Sequence, residues 1–361
     1  MKKILLSYCL LFPFFTIKAQ EYPQEIKVTD NGEFAVMYMG VNRIHILNTF
    51  NGQLIKHRLP DSLKVYGGIQ LYNSMILVQC IKYGSPSLLL DFMGRPLYTF
   101  STPVIAAPSG KELYEVTRTE VHRLDSNFKV NKTITLENNK LNEFYEIDPM
   151  RCYLSNDEQR IAVCLKKMGG MAIAVFDLSN GKLLAMFDKF KDTEKKKLEF
   201  AGLSPDGKYL VAGNRFVVSL MDIDKGNIVG TFEENPKNNR KYFTAAGFVP
   251  DSKRAIIVSQ YKIYSLSLDK FEAMENINFG GEKTIKVVTT YEGFLNKKLY
   301  ETTDYEYSMN NYYYWCGYDF SKDGKLLYAG IELVNEAGRH TTLINKMTFA
   351  EPAKNIKYLL K

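Results

Sequence analysis

Short apolar runs broken by turn-forming clusters recur along the whole chain, and no helical spacing of apolar residues lasts beyond a turn or two. The stretch from Glu199 to Phe232 shows the unit. Glu199 to Leu203 leans apolar, Ser204-Pro205-Asp206-Gly207 forms a turn, and Lys208 to Ala212 is a second run. Proline presets φ at the second turn position, aspartate bonds nearby backbone, and glycine accepts φ > 0 without a Cβ clash. After Gly213-Asn214, Phe216 to Met221 is continuously apolar and rich in β-branched residues, the pattern of a strand buried on both faces. Asp222-Ile223-Asp224-Lys225-Gly226 then turns the chain into a fourth run, Asn227 to Phe232.

Both turns return. The first is clearest at Ser204–Gly207 and at Ser321-Lys322-Asp323-Gly324. Fainter copies stand at Asn31-Gly32, Ser109-Gly110, Asp157-Glu158 and Asp251-Ser252, with a degraded one at Asn73-Ser74. The second recurs at Asn48–Gly52, Asp91–Gly94 and Asp177–Gly181, and less cleanly after Leu124, Leu266 and Ile344. The two signals keep phase with each other. Four short strands joined by tight turns make one blade, and a fixed-period array of them makes a ring. The expectation is an all-β fold: a single β-propeller of seven four-stranded blades, with eight as the alternative. The blades fall at about 24–60, 64–101, 102–137, 143–190, 197–235, 241–280 and 311–361. Successive first turns lie 36 to 49 residues apart except for the last pair, 72 apart, so an extra hairpin or vestigial blade is expected at 282–311. Asn355 to Lys361 reads as the last outer strand, and the short Tyr22 to Glu25 leaves little chain for an exchanged closing strand.

The Ser204–Gly207 and Ser321–Gly324 turns, with the Asp177 and Asp222 turns and the Gly-Lys or Gly-Asn that follows them, resemble the degenerate WD40-like and YVTN-type bacterial propellers. The resemblance spans essentially the whole chain after residue 20. Gly-His and Trp-Asp dipeptides are lacking and Trp315 is the only tryptophan, so the looser bacterial relatives are the nearer match.

Residues 1–20 read as a secretory signal peptide: Lys2-Lys3, then an apolar stretch from Ile4 to Ile17, then a cut near Ala19. The apolar run is shorter than the ~20 residues of a membrane span. No later segment is long or apolar enough to cross a membrane. Export to the periplasm or the exterior follows as an expectation, with residues 21–361 as one propeller domain in a monomeric ring. Losing Lys2, Lys3 and Lys18 lowers the formal charge from +7 to +4, too mild for a nucleic-acid partner. Four cysteines follow the signal: Cys80, Cys152, Cys164 and Cys316. If Leu154 and Ile161 share a face, the period of two puts Cys152 and Cys164 on opposite faces. Buried, reduced cysteines acting as small hydrophobes are therefore expected over disulfides.

Catalytic patterns are thin. No Gly-x-Ser-x-Gly, His-Glu-x-x-His or Cys-x-x-Cys occurs, and Gly280–Thr284 lacks the spacing of a phosphate loop. His45 and His122 occupy similar third-strand positions and read as strand fillers. Asp206, Asp222 and Asp224 are explained by turn geometry rather than calcium. Neither metal nor cofactor is expected. Channel-facing acids would come from inner strands: Glu25, Glu146, Asp148, Glu199 and Asp319. The function expected is non-catalytic binding of a protein, peptide or cell-envelope component. The alternative is a propeller enzyme, a lactonase or lyase working on a small molecule in the channel. Tyr291, Tyr300, Tyr305, Tyr307, Tyr312, Tyr313 and Trp315 are the candidate contact residues, as rigid amphipathic area. The competing reading makes them strand residues packing one blade on the next.

Overall fold

The computed structural model describes residues 25–348 apart from 41, 52, 60–67, 80–86, 118, 138–145, 168–169, 189–197, 234–242, 251–252, 260–262, 269–271, 278–285, 288–299, 302–311 and 335–339. Every regular element among them is a strand. No helix in them is long and apolar enough to cross a membrane. The first sheet is β1 (Glu25–Val28), β2 (Phe34–Tyr38), β3 (Arg43–Asn48) and β4 (Leu54–Arg58). The second is β5 (Ile69–Tyr72), β6 (Met75–Val78), β7 (Ser87–Leu90) and β8 (Pro96–Phe100). The third is β9 (Val104–Ala106), β10 (Leu113–Val116), β11 (Glu120–Leu124) and β12 (Val130–Thr135). The fourth is β13 (Glu146–Leu154), β14 (Arg160–Lys167), β15 (Gly170–Asp177) and β16 (Leu183–Phe187). The fifth is β17 (Phe200–Leu203), β18 (Tyr209–Gly213), β19 (Val217–Asp222) and β20 (Asn227–Glu233). The sixth is β21 (Phe243–Phe248), β22 (Arg254–Ser259), β23 (Ile263–Ser267) and β24 (Glu272–Ile277). A small pair follows, β25 (Lys286–Val287) with β26 (Tyr300–Glu301), and then a sheet of β27 (Tyr312–Phe320), β28 (Leu326–Val334) and β29 (His340–Thr348).

Six sheets are four-stranded antiparallel meanders in chain order, each one propeller blade. The inner strands β1, β5, β9, β13, β17, β21 and β27 stand side by side, and β27 returns to β1, which closes a single ring. The last sheet has three strands among the described residues, where four were expected, and β25 lies beside its outer strand β29. The strand expected at 355–361 lies outside the described residues.

The repeated turns explain the regularity. The Ser204 hydroxyl donates to Asp206 Oδ1 (2.7 Å) and accepts from the Tyr209 amide (2.8 Å), while Asp206 Oδ1 accepts from the Lys208 amide (3.1 Å). Ser321, Asp323 and Lys325 repeat the arrangement, and Ser155, Asp157 and Gln159 repeat it again. Gly207 and Gly324 fill the left-handed position, with φ of 70° and 68°.

The core lies in the seams between blades. Ile105, Val121 and Ile134 of the third blade pack with Leu154, Ile161 and Phe176 of the fourth. Ile173 and Val175 of the fourth pack with Leu210 and Met221 of the fifth. β19 is buried along its whole length, as its unbroken apolar run requires. Cys152 and Cys164 are buried thiols in different seams, so they lie on opposite faces of the fourth blade, as the alternation predicts. Tyr328 of the last sheet enters the core made by Ile26, Met37 and Leu47 of the first blade. The ring is thus closed by side chains.

Candidate functional site at the ring axis

Alternation along the inner strands decides what reaches the axis. In β1, Ile26 and Val28 are buried while Glu25 and Lys27 are half-exposed on the other face. Lys27 Nζ lies 3.7 Å from Glu25 Oε1 and feels Asp319 of β27 across the closing seam. Burial opposes the Lys27 ammonium, but Asp319 and Glu25 together outweigh it and hold its pKa above the ordinary lysine value. Burial also lifts the Asp319 carboxyl above the usual carboxylate range, against the pull of Lys27 and of backbone N–H groups. The two directions have one source: two carboxylates share one ammonium in a site that burial makes costly for charge.

The acids are occupied by the neighbouring blade. Glu25 Oε2 accepts from the Gly68 and Ile69 amides (3.0 and 2.9 Å) at the entry to β5. Asp319 Oδ2 accepts from the Val28 amide (2.8 Å) in β1. Gln70 of β5 accepts from the Ala106 amide of β9, and Gln79 donates to the Val104 carbonyl (3.2 Å). Arg151 of β13 donates to the Leu198 carbonyl ahead of β17. A polar inner-strand side chain that reaches the next blade's backbone is therefore the working rule, and its chemistry is seam closure. Close approach needs small residues as well. A Cβ on Gly247 of β21 would stand 2.6 Å from the Tyr318 hydroxyl, and one on Gly202 of β17 would stand 3.2 Å from Gly247 Cα.

Of the acids read from the sequence, Glu25 and Asp319 come together at the axis. Glu199 instead pairs with Arg215 (3.2 Å). Glu146 and Asp148 lie in β13 opposite Lys166 and Cys164, and their side chains are outside the described set. No group of three or more His, Cys, Asp or Glu side chains suited to a metal occurs among the described residues. His45 is buried in β3, and burial first, then Lys56 and Arg43, push its pKa down to about 4. His122 sits between Glu115 (3.2 Å) and Glu120 (3.0 Å). Burial works against its charge, yet the two carboxylates hold its pKa above the ordinary value.

Among the aromatic candidates, Tyr312, Tyr313 and Trp315 belong to the inner strand β27, paired with Val334, Leu333 and Ile331, and Tyr300 opens β26. Tyr291, Tyr305 and Tyr307 lie outside the described residues.

Two residues that matter escaped the sequence reading. Lys27 carries the axial charge pairing. Glu158 occupies the left-handed turn position (φ 57°) that glycine holds in sister turns, and its carboxylate accepts from Ser109 and Tyr114 of the preceding blade, both at 2.7 Å. The signal for Glu158 was present: a carboxylate standing where the repeat calls for glycine.

No protein-family model matches the chain, and no curated protein matches it in sequence. Solved structures do match. The WD40 domain of Neurospora crassa Pan2 superposes with a TM-score of 0.57 at 9% identity, over 92% of both chains. At that identity the likeness speaks for the fold, a WD40-like β-propeller.

Proposed function

We propose that the protein is an exported, non-catalytic propeller that binds a protein, peptide or envelope component through the connections between blades. The observation that carries this reading is the contrast between the two sides of the ring. On the turn side, the first turns at 155–159, 204–208 and 321–325 are fixed by their own Ser and Asp side chains, and first turns are tied to neighbours, for example Asn156 N to Pro205 O (2.7 Å) and Asn73 N to Gly110 O (2.6 Å). On the other side lie the ends of outer strands and the starts of the next inner strands, at 58 and 69, 135 and 146, 187 and 200, 233 and 243, and 277 and 312, so the sequence between them joins the blades there. Variable connections on a rigid scaffold are where propellers of any origin can place contact residues. Tyr291, Tyr300, Tyr305, Tyr307, Tyr312, Tyr313 and Trp315 fall in or beside the longest of them. The axial acids support binding over catalysis, because Glu25 and Asp319 already accept backbone hydrogen bonds.

Export rests on residues 1–20, with a cut near Ala19, and the looser turn signatures favour the bacterial YVTN type. Photo-cross-linkers placed at Tyr300 and Tyr313, and separately at Asn180 and Asp206, test the reading in the cell envelope. Adducts are expected from the first pair alone. Adducts from the turn side, or none from Tyr300 and Tyr313, would sink it.

A further inference from the structure

The second-turn position that glycine holds at Gly94, Gly181 and Gly226 is taken in the third blade by Phe128, at φ 60°. The turns match bond for bond: the Phe128 amide donates to Asp125 O and the Gly94 amide to Asp91 O, each at 2.9 Å. A bulky residue in the left-handed region costs roughly 1–2 kcal/mol. Its ring reaches the outer strand of the second blade, 4.5 Å from Tyr98 and 5.2 Å from Phe100 between centroids. Tyr98 is 41% exposed and Val130, on the same face of the third blade as Leu124, is 49% exposed. Beneath this aromatic wall the seam is sealed by Leu89, Leu113 and Leu124.

The same face continues to a polar end. Leu113 and Leu124 face the second blade, so the period of two places Glu115, His122 and Glu120 on that face too. Two carboxylates against one imidazole leave surplus negative charge in either protonation state. Arg123 does not offset it, being on the opposite face with Glu112 (2.9 Å). β8 and β12 are also the outermost strands of their sheets and the most exposed of the outer strands with described side chains, with four residues of β8 and five of β12 in solvent. Their outer edges offer backbone donors and acceptors.

We propose that this outer seam between the second and third blades binds an extended peptide, an apolar or aromatic side chain resting on Tyr98, Phe128 and Val130 and a basic side chain meeting Glu120 and Glu115. Leu124 and Glu120 are four residues apart along β11, roughly 13 Å at strand rise, so the two peptide residues are also about four apart. This surface is separate from the blade connections and goes beyond the binding assigned to them.

A positional-scanning nonapeptide array applied to the mature chain tests it. Phe, Tyr or Leu with Lys or Arg four positions on should be selected. Tyr98→Ser and Glu120→Gln should each weaken the best peptide at least about tenfold, measured at a temperature where circular dichroism shows both variants fully folded. Glu120→Lys should switch selection at the second position to Asp or Glu. Selection of acidic peptides by the natural chain, equal binding by Tyr98→Ser, or no selection at all overturns the proposal. So does a dimer in sedimentation that Tyr98→Ser dissolves, since a second copy would then cover the seam.

Discussion

The turn side of the ring and its connection side are made of the same blades but obey different rules. Five of the seven first turns, 29–33, 155–159, 204–208, 249–253 and 321–325, have one length, and those with described side chains share a Ser or Thr, Asx and left-handed residue plan; 73–74 and 107–112 are the exceptions. The connections range from 101–103 to 278–311. On the turn side the chain is fixed twice, by its own side chains and by the neighbouring blade. Such doubly fixed backbone cannot vary without damage to two blades at once, so variation collects on the other side.

The sharpest way to break this contrast is at Gly181, in the second turn of the fourth blade. With φ +75°, a Cβ there would stand 1.9 Å from the Thr135 carbonyl oxygen of the third blade, which is backbone and cannot yield. Gly181→Val should cost about 4 kcal/mol, strain plus overpacking, read as a fall in the urea midpoint. Gly226 has φ +65° but nothing within 4 Å, so Gly226→Ala should cost only about 1 kcal/mol. Equal costs would mean that the seam contributes nothing.

Acid should attack the body of the first blade instead of either side. His45 titrates at about 4 when folded against an ordinary 6.5, so it lends stability above pH 6.5 that is lost as pH falls towards 4. The loss is roughly 3 kcal/mol by pH 4, and His45→Gln should flatten the fall in unfolding free energy between pH 7 and 4.

At the axis, Lys27→Met leaves Glu25 and Asp319 without their cation and should cost about 2 kcal/mol at pH 7. Because the folded Lys27 pKa is raised, the gap between natural and variant chains is complete below pH 10.5 and shrinks as pH rises beyond it. A gap that grows with pH would show that the cation does not hold the ring closure.

Smaller effects separate the two sides further. Glu158→Gly removes left-handed strain but leaves Ser109 and Tyr114 without their acceptor, for a net loss of about 1 kcal/mol in thermal unfolding. Two glycines inserted into the connection 188–199 should change stability by only a few tenths of a kcal/mol, since loop closure depends weakly on length. The same insertion into 204–208 would displace Pro205 O and Gly207 O from Asn156 and Arg160, and should cost far more.

The sequence determined the blades. Turn chemistry is local: Ser204, Asp206 and Gly207 bond within a few residues of one another, so their spacing alone announces them, and the unbroken run at β19 announces burial on both sides. Tertiary structure decided how the blades meet. Asp319 and Val28 are 291 positions apart, and no local pattern tells that the carboxylate will cap that amide. Nor does local pattern tell that Tyr328 will fill the first blade, or that Phe128 will take a glycine's conformation to rest on Tyr98. Repeats fix short-range geometry because each unit carries its own turn, whereas seams and ring closure depend on side chains that only the assembled ring brings within reach.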